Sequence, residues 1–327
     1  MRVSAIVPTH DRPERLRTCL ESLRVQIIDP ALLEVIVVDD GSTADIAAVV
    51  GAVAAKGPIP MRCERQSLGG LNSARNRGAR MAEGEVLAFL DDDTIVAGTW
   101  AEAIRSAFDV DACDGVGGRV ELGLEGSPPP WLAARSYYLA EYDLGAQARW
   151  IDDADPLPVG ANCAVSRQAF DRVDGFRVGL DRIGASLVSN GDTEFFFRVK
   201  ATGAKLRYEP RASVIHCVPA DRLSVQFFVR RHYAQGVSDE LMLGMRTGAS
   251  VRRRRLIHLR WLALQLPRAT RALCADLARG RGTTMARFEL SYWTGRLRGA
   301  GISVPDEPEG TELTPAVVSP PAWRSPP

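Results

Sequence analysis

The chain has 327 residues, and its 41 Lys and Arg residues nearly balance 40 Asp and Glu, so a formal net charge of +1 gives no overall attraction to nucleic acid or anionic surfaces. A hydrophobic content of 46% and a charged content of 25% are ordinary for a globular protein, and the best transmembrane candidate, Leu256–Leu266, is too short and contains His258 and Arg260. The six cysteines form no CxxC pair and no secretory leader is recognisable, which predicts free thiols and no zinc site in a cytoplasmic chain.

Strands and helices alternate over the first ninety or so residues. Short apolar runs bounded by turn residues predict strands at Val3–Val7, Leu33–Val38, Met61–Glu64 and Val86–Leu90. Capping residues and helical spacing predict helices over Pro13–Gln26, from Ser42 or Thr43 to about Ala55, and over Leu71–Met81. This order predicts an α/β fold with a doubly wound, mostly parallel sheet that is covered by helices on both faces.

Carboxylates follow three of these predicted strands: Asp11, the pair Asp39–Asp40 and the triplet Asp91–Asp93. Ligands of such sheets bind beyond the carboxyl ends of the strands. Three adjacent carboxylates at the end of a buried strand repel one another and require a compensating cation. Since side chains alternate, Asp91 and Asp93 are expected on one side and Asp92 on the other. The triplet therefore suits a divalent metal that holds a diphosphate, and a solvated acidic turn is the alternative.

The first turn, Pro8–Pro13, contains no glycine, and the P-loop signature is absent. A dinucleotide-binding domain needs a glycine-rich first turn so that the pyrophosphate approaches a helix N-terminus. The turn therefore excludes that class. A nucleotide held without a glycine cradle needs a metal for its phosphates.

Further along the chain, we predict a helix over Trp100–Phe108 and a strand over Val116–Leu122. The loop-rich insertion Gly123–Trp150 contains Trp131 and several tyrosines, whose rings would either stack on a sugar or anchor the insertion. The remaining predicted elements are a strand near Val159–Val165, a helix over Glu194–Ala201, and two strands at Lys205–Tyr208 and Ala212–Ile215.

The C-terminal third is basic and helical. A helix from Leu223 is expected to close over the site, and residues 251–299 hold twelve arginines but only two acids. Arginines beside Trp and Leu at helical spacing predict either a helix on an anionic membrane surface or a helical hairpin packed on the core. No nucleic-acid recognition motif accompanies the arginines. Ser303–Pro327 contains seven prolines and predicts a disordered tail.

Four motifs together resemble the family 2 glycosyltransferases, in that family's order and spacing. They are Val-Pro-Thr-His-Asp-Arg at 7–12, Val-Val-Asp-Asp-Gly-Ser at 37–42, Gly-Gly-Leu-Asn-Ser-Ala-Arg-Asn-Arg-Gly at 69–78 and Phe-Leu-Asp-Asp-Asp at 89–93. The resemblance implies a GT-A fold, a nucleotide-sugar donor and inversion at the anomeric carbon. It divides the chain into a catalytic domain at 1–220, with a donor half at 1–122 and an acceptor half at 123–220, a helical extension at 221–302 and a tail at 303–327.

The resemblance also implies roles for individual residues. Around the nucleotide sugar it places Pro8, Thr9, Asp11, Asp40, Ser73, Arg75, Asp91 and Asp92. Mn²⁺ or Mg²⁺ would be bound by Asp93 and His216, and Asn162 and Trp131 would contact the donor sugar or the acceptor.

The catalytic base implied by the resemblance is Asp192, with Glu194 in reserve. An inverting transfer needs a carboxylate that takes the proton of the attacking hydroxyl opposite the leaving nucleotide. An aspartate there could equally be a helix N-cap, and Asn190-Gly191-Asp192 departs from the Gly-Glu-Asp usual in the family.

The expected donor is a UDP-sugar and the expected acceptor a saccharide or lipid-linked molecule, used in cell-surface polysaccharide or glycolipid synthesis at the inner face of the plasma membrane. Two other classes compete with this reading. A non-catalytic scaffold would bind sugar nucleotides without turnover, and a metal-dependent nucleotidyltransferase would leave Asp192 and His216 without a role.

Overall fold

The computed structural model describes residues 1–182, 186–248, 250–257 and 283–302. The strands are β1 (Val3–Thr9), β2 (Leu33–Asp40), β3 (Met61–Gln66), β4 (Val86–Leu90), β5 (Thr94–Val96), β6 (Gly115–Leu124), β7 (Arg149–Trp150), β8 (Asn162–Ser166) and β9 (Leu206–Val218). The α-helices are α1 (Pro13–Arg24), α2 (Ile46–Ala54), α3 (Leu71–Met81), α4 (Trp100–Asp111), α5 (Arg167–Arg172), α6 (Gly191–Ala201), α7 (Val225–Thr247) and α8 (Thr284–Gly299). Short 3₁₀ helices occupy Pro30–Leu32, Ala133–Leu139 and Ala220–Leu223, and residues 251–257 are also helical.

The strands form one mixed sheet in the order β3-β2-β1-β4-β8-β6-β9-β5, with β7 beside β9. Strands β3, β2, β1 and β4 run parallel, β8 is antiparallel to both β4 and β6, and β9 returns parallel to β6. Every residue of β1, β2 and β4 is buried, as continuous apolar runs predict for strands covered on both faces. The parallel arrangement brings the carboxyl ends of β1, β2 and β4 to one edge, and the predicted fold class is confirmed.

One predicted break in the sheet is wrong. A single strand, β9, replaces the two strands expected at Lys205–Tyr208 and Ala212–Ile215. The register of its pairing with β6 shifts between Gly118 and Val120. Pro210 lies at this irregularity. Proline has no backbone N–H, but the regular hydrogen bonding between β6 and β9 is interrupted here, so no ladder bond is lost. His216 consequently stands inside β9, opposite Thr94, instead of following a strand.

The start of α2 also differs from its prediction. Asp45 caps the helix by accepting a hydrogen bond from the Ala48 N–H, in place of Ser42 or Thr43. All three residue types favour the N-cap position, so composition did not discriminate between them. Ser42 and Thr43 bond to Asp11 in the loop after β1 instead. The two loops are thereby joined at the sheet edge.

Helices α7 and α8 run parallel in close contact, and residues 229, 233 and 237 lie beside 291, 295 and 299. Gly236 and Gly295 make this approach possible, because a Cβ on either would lie about 2 Å from a backbone oxygen of the other helix. The insertion after β6 is anchored to this pair by an apolar cluster that includes Leu132, Tyr138, Phe228 and Phe288.

Much of the predicted basic extension, and all of the tail 303–327, lie outside the described residues. In the described part, Arg254 is buried, whereas Leu256 and Ile257 are about half exposed. Membrane binding by 251–299 therefore stays a prediction. Within the ranges described, none of the helices combines the length and apolarity needed to cross a membrane.

Candidate active site

The aspartate triplet follows β4 at the sheet edge, in a turn that the Thr94 N–H closes on the Asp91 carbonyl. Asp91 and Asp93 converge with His216 of β9, and one ligand atom from each lies within 4.8 Å of the others. The metal pair expected from the sequence, Asp93 and His216, thus gains Asp91. Two carboxylates and an imidazole are a donor set that suits Mn²⁺, and the carboxylates also suit Mg²⁺.

The hydrogen bonding of His216 sets which ring nitrogen faces this cluster. Nδ1 lies 2.8 Å from the carbonyl oxygen of Leu139, which only accepts, so Nδ1 carries a proton. Nε2 lies 3.0 Å from Oδ1 of Asp93. Burial alone would lower the pKa of His216, but its hydrogen bond with Asp93 and the charge of Asp93 raise it. In the neutral ring, the Nε2 lone pair points at the position where a metal would be bound.

Asp92 is held from β1 and from Arg12, the residue before α1, whose Nη1 also contacts Asp93. Its Oδ2 accepts a hydrogen bond of 2.7 Å from the Thr9 hydroxyl, and its Oδ1 lies 3.2 Å from Nη1 of Arg12. Burial and the neighbouring Asp93 raise the pKa of Asp92 to about 6, although Arg12 opposes them. Burial would likewise raise the pKa of Asp93, but His216 and two arginines lower it below its usual range.

Those two arginines were not predicted as site residues. Nη1 of Arg12 lies 3.4 Å and Nη1 of Arg222 3.5 Å from Oδ2 of Asp93. Arg12 stands in the first motif, directly before the helix predicted from Pro13. Arg222 lies in the turn after β9, and no local pattern marks it. The site therefore contains negative charges from the carboxylates and positive charges from the two guanidinium groups.

Loops at the ends of β1 and β2 meet on the predicted nucleotide side. Oδ1 of Asp11 accepts a hydrogen bond of 2.7 Å from the Thr43 N–H. The Asp40 carboxylate accepts bonds of 2.8 and 2.9 Å from the backbone N–H groups of Gly69 and Gly70. Gly70 has φ of 92°, a left-handed conformation that favours glycine. The two aspartates therefore hold the loops around this edge, and their contact with a nucleobase or ribose stays a prediction.

The other residues near this side lie in a strand or in the hydrogen-bonded loops around Asp40. Pro8 lies within β1, paired with Val38 of β2. The Ser73 hydroxyl is 3.3 Å from Nε2 of Gln66, which also bonds to Asp40. Asp39 accepts a hydrogen bond of 2.8 Å from the Ser42 N–H, which is a structural role in the loop after β2.

Arg75 of α3 connects the triplet to the loop that precedes β8. Its side chain is buried, and Nη2 lies 3.2 Å from Oδ1 of Asp91 and 3.0 Å from the carbonyl oxygen of Gly160. Its guanidinium carbon lies 5.3 Å from the ring centroid of Phe176. Arg75 therefore fixes the position of Asp91 relative to the loop that precedes β8.

The candidate base, Asp192, binds the opposite side of the same loop. Its Oδ2 accepts a hydrogen bond of 2.7 Å from the Gly160 N–H, and Oδ1 accepts one of 2.8 Å from the Thr193 N–H. The N-cap of α6 is Asn190, so Asp192 is the second residue of the helix and not its cap. Its Oδ1 satisfies one N–H of the first turn, as a capping residue does, whereas Oδ2 is directed at Gly160, and the carboxylate is partly exposed.

Glu194, the reserve candidate, has a structural environment. Its carboxylate is buried, 2.7 Å from Nε of Arg198 and 3.4 Å from Nε of Arg177. Arg198 also donates a hydrogen bond to the Gly175 carbonyl. Because both oxygens of this buried carboxylate are engaged by guanidinium groups, it is not available to an acceptor hydroxyl, and we withdraw Glu194 as a catalytic candidate.

Asn162 and Trp131 are also placed differently from the roles that the sequence suggested. Asn162 is fully buried; its amide donates to the carbonyls of Arg119 and Ala212 and accepts from the Trp100 indole N–H at 2.9 Å. With its donors and acceptor engaged, it is a structural residue of β8. Trp131 packs edge-on against Phe228 and Phe288, which supports the anchoring alternative.

Comparisons with known proteins agree with this architecture. Residues 4–174, just over half of the chain, match the family described as Glycosyl transferase family 2. The chain is 26% identical to the glucosyl-dolichyl phosphate glucuronosyltransferase of Haloferax volcanii over 74% of this chain and 77% of that protein. It is 24% identical to the succinoglycan biosynthesis protein ExoM of Rhizobium meliloti, over 70% and 71% of the two chains.

Among solved structures, the mannosyltransferase PcManGT from Pyrobaculum calidifontis, in complex with GDP-Man and Mn²⁺, is similar with a TM-score of 0.59. That similarity covers 91% of this chain and 85% of the other at 21% identity, and it shows a shared GT-A fold. On the extent of the family match, the chain belongs to glycosyltransferase family 2.

Proposed function

We propose that this glycosyltransferase transfers a sugar from a nucleotide-diphosphate sugar to a hydroxyl acceptor with inversion, using Asp192 as the base. One observation carries the proposal: the backbone N–H and C=O of a single residue, Gly160, join the two sides of the site. Its carbonyl binds Arg75, which contacts Asp91, and its N–H binds Asp192. A single residue of the backbone therefore fixes the candidate base relative to the candidate metal ligands, as an in-line displacement requires.

The donor set at the sheet edge fits a divalent cation. Asp91, Asp93 and His216 would hold Mn²⁺ or Mg²⁺, which would supply positive charge to the departing diphosphate. The fit rests on the converging oxygen and nitrogen atoms and on the Leu139 carbonyl, which fixes the ring of His216. The guanidinium groups of Arg12 and Arg222 would add donors for phosphate oxygens.

The residues of the chain act on two sides of the reacting sugar, the donor side and the acceptor side. Arg75 and Asp91 hold the donor side of the site. On the other side, Asp192 takes the proton of the acceptor hydroxyl as its oxygen attacks the anomeric carbon and the nucleoside diphosphate leaves. Hydrogen bonds from Gly160 and Thr193 keep the carboxylate in one orientation during this step.

The donor and acceptor classes belong to the same proposal. We favour a UDP-sugar, and we include GDP-sugars in the test because the mannosyltransferase neighbour was solved with GDP-Man. The relatives named for dolichyl phosphate and succinoglycan chemistry support an acceptor from glycolipid or polysaccharide synthesis.

The decisive experiment compares Asp192→Asn with wild type in donor binding and in sugar transfer. Removal of a general base lowers turnover by roughly 10²–10⁴-fold, and donor binding is expected to persist because Arg75 and the triplet are unchanged. The matched control is Asp153→Asn, which makes the same change at a fully exposed carboxylate beside Lys200. Transfer is measured as release of nucleoside diphosphate in the presence of candidate acceptors.

Each rival function makes a different prediction in this experiment. Wild-type transfer by Asp192→Asn would refute the base assignment. A scaffold would bind the nucleotide sugar without turnover in either protein. A nucleotidyltransferase would release pyrophosphate from a nucleoside triphosphate, and its rate would not depend on Asp192.

A further inference from the structure

The segment that leads into the candidate base, residues 187–190, is held by one face of α7. The Leu187 carbonyl accepts a hydrogen bond of 3.5 Å from Nη1 of Arg231, and the Ser189 N–H donates one of 2.9 Å to the Ser238 hydroxyl. The side chains of α7 that contact this segment recur at helical spacing and share one face of the helix: Arg231, Gln235, Ser238 and Asp239. Helix α7 is therefore bonded along the segment that directly precedes α6.

Asn190, the last residue of this segment, is fixed by two side chains of α7. It is the N-cap of α6 and has a φ of 79°, a left-handed conformation that disfavours most residues but that asparagine tolerates. Its Nδ2 donates a hydrogen bond of 2.7 Å to Oδ1 of Asp239, and its Oδ1 accepts one of 2.7 Å from Nε2 of Gln235. Gln235 also donates to Asp239 at 2.7 Å. Both ends of the Asn190 amide are therefore bound.

Asp239 is itself held from α8. Its Oδ2 accepts a hydrogen bond of 2.7 Å from the Tyr292 hydroxyl, and the Tyr292 oxygen accepts one of 3.1 Å from Nη1 of Arg296. Arg296 in turn lies 3.0 Å from the buried carboxylate of Glu240. A continuous chain of polar contacts therefore joins the helix pair α7–α8 to Asn190.

The next residue, Gly191, is packed against α3. A Cβ on Gly191 would lie 2.3 Å from Nδ2 of Asn72 and 2.9 Å from the carbonyl oxygen of Leu180, so a larger residue does not fit without displacing them. The Asn72 side chain is held in place by the hydrogen bond of 2.7 Å that Nδ2 donates to the Arg177 carbonyl. The backbone directly before Asp192 is therefore held by α3 as well as by α7.

We propose that Asp239 is a positioning residue for the candidate base: by holding Asn190, it fixes the direction from which Asp192 enters the site. The inference rests on the proposed function, since it takes Asp192 as the base. Asp192 is the second residue after Asn190, so a backbone change at Asn190 moves the start of α6 and displaces the carboxylate from the Gly160 N–H. A displacement of about 1 Å slows a reaction between positioned groups by up to about 10²-fold.

The first test replaces the two side chains that bind the Asn190 amide and measures steady-state sugar transfer. Asp239→Ala removes the acceptor of this amide and Gln235→Ala removes its donor, so each is expected to lower kcat by roughly tenfold to 10²-fold. The KM for the donor should stay unchanged, because the aspartate triplet and Arg75 keep their contacts. Asp239→Asn retains an acceptor oxygen and should keep more of the turnover than Asp239→Ala.

The matched control is Asp114→Ala, which should change neither kcat nor KM. Asp114 directly precedes β6, at the edge of the sheet opposite the triplet, and accepts a hydrogen bond of 2.8 Å from the Lys205 N–H. Melting temperatures show whether each variant folds. If Asp239→Ala does not fold, Gln235→Ala carries the test, since Gln235 is partly exposed and its replacement leaves the bond between Asp239 and Tyr292 in place.

The second test shows whether Asp239 acts through the base. In Asp192→Asn the base is already absent, so the addition of Asp239→Ala should lower kcat little further, as expected for two residues that act as a unit. If the two losses instead multiply, Asp239 acts independently of Asp192, and the positioning inference is overturned.

The remaining outcomes separate this inference from the proposed function. If Asp239→Ala and Gln235→Ala both keep the wild-type kcat while Asp192→Asn loses turnover, the positioning inference is overturned and the proposed function stands. An increase in the KM for the donor with an unchanged kcat would also overturn the inference. If Asp192→Asn itself transfers sugar at the wild-type rate, the base assignment fails and the inference fails with it.

Discussion

Two of the regions in which arginine side chains lie against carboxylates differ in how far the protein encloses those side chains. At the sheet edge, Asp93 contacts Arg12, whose side chain is 40% exposed, and Arg222. In the helix pair α7–α8, the Glu240 side chain has no exposed surface and lies 3.0 Å from Arg296 and 3.9 Å from Arg254. Arg12 is free to turn toward solvent, whereas the partners of Glu240 are packed between helices.

The difference separates a ligand site from a structural ion cluster. A carboxylate whose cationic partners can move is able to exchange them for a metal ion, and the converging His216 supplies a further ligand. A carboxylate enclosed by fixed guanidinium groups cannot exchange them for a metal ion. Its charge has only a structural role in the folded protein. Arg222, with 15% of its side chain exposed, is as enclosed as Arg296, with 16%, so the exposed partner Arg12 and the converging His216 are what distinguish the sheet edge.

The largest effect is expected from Glu240→Gln. The change leaves Arg254 and Arg296 buried without their shared counter-charge, and breaking such a group by removing one partner costs about 3–5 kcal/mol. Urea unfolding measures the free energy of unfolding directly. The matched control is Glu289→Gln on α8, where a carboxylate with 59% exposure lies 3.7 Å from Arg135 and should contribute under about 1 kcal/mol. If Glu240→Gln and Glu289→Gln lowered the free energy of unfolding equally, the distinction between an enclosed ion cluster and an exposed ion pair would be contradicted.

The pH dependence of stability should also differ in sign between the two regions. His232 of α7 is 2% exposed and stacks 4.7 Å from Phe288. Burial, and then the positive charges of Arg135 and Arg231, lower its pKa to about 4 despite its hydrogen bond to the Phe228 carbonyl. Because an unfolded histidine titrates near 6.5, stability is complete above that pH and falls by about 3 kcal/mol as the pH drops to 4.

At the sheet edge, the pKa of His216 is raised, so its contribution is complete below the unfolded pKa and is lost as the pH rises through the folded value. The experiment is urea unfolding at pH 7.5 and pH 5 for wild type and His232→Phe. The variant should lose much of the destabilisation at pH 5. His10→Gln, at a partly exposed histidine, is the control and should behave as wild type does. An unchanged pH response in His232→Phe would assign the acid sensitivity to other groups.

The predicted bounds are most accurate for strands buried on both faces, because their sequences are apolar without interruption. Strand β4 has the predicted bounds, Val86–Leu90, and β1 and β2 begin where expected, because parallel strands buried on both faces are apolar throughout. Strand β9 was divided because Pro210 interrupts its pattern, and only the partner strand reveals that the residue lies at a register shift. A tertiary pairing therefore overrode a local signal.

The site was predictable only where neighbours in sequence are neighbours in space. Asp91 was correctly grouped with Asp93, but Asp92 was not separated from Asp93 as predicted, because the triplet lies in a turn and Arg12 contacts both carboxylates. Arg222 and the Leu139 carbonyl were missed because each reaches the site from a distant segment that carries no motif. Asn162 was misread for the same reason: its partner, Trp100, lies 62 residues away.

The smallest effect on the fold, with a clear effect on ligand binding, is expected from Asp93→Asn. The unfolding free energy should change less than in Glu240→Gln, because Arg12 is able to turn to solvent. A nucleoside diphosphate at one hundred times its dissociation constant should stabilise wild type by about 2.7 kcal/mol. We expect this stabilisation only with Mn²⁺ or Mg²⁺, and we expect the variant to lose it, since a neutral amide is a weak metal ligand.

Melting temperatures with a panel of nucleoside diphosphates, with and without each metal, measure both quantities, and Asp153→Asn again serves as the control. A nucleotide that stabilises wild type equally without metal would show that Arg12 and Arg222 bind the phosphates alone, and the sheet edge would then resemble the helix pair in keeping its charges fixed. If Asp93→Asn instead destabilises the protein as strongly as Glu240→Gln does, then the mobility of Arg12 does not distinguish the two regions. A metal-dependent response lost only in Asp93→Asn would establish that the carboxylates at the sheet edge exchange their arginine partners for a cation.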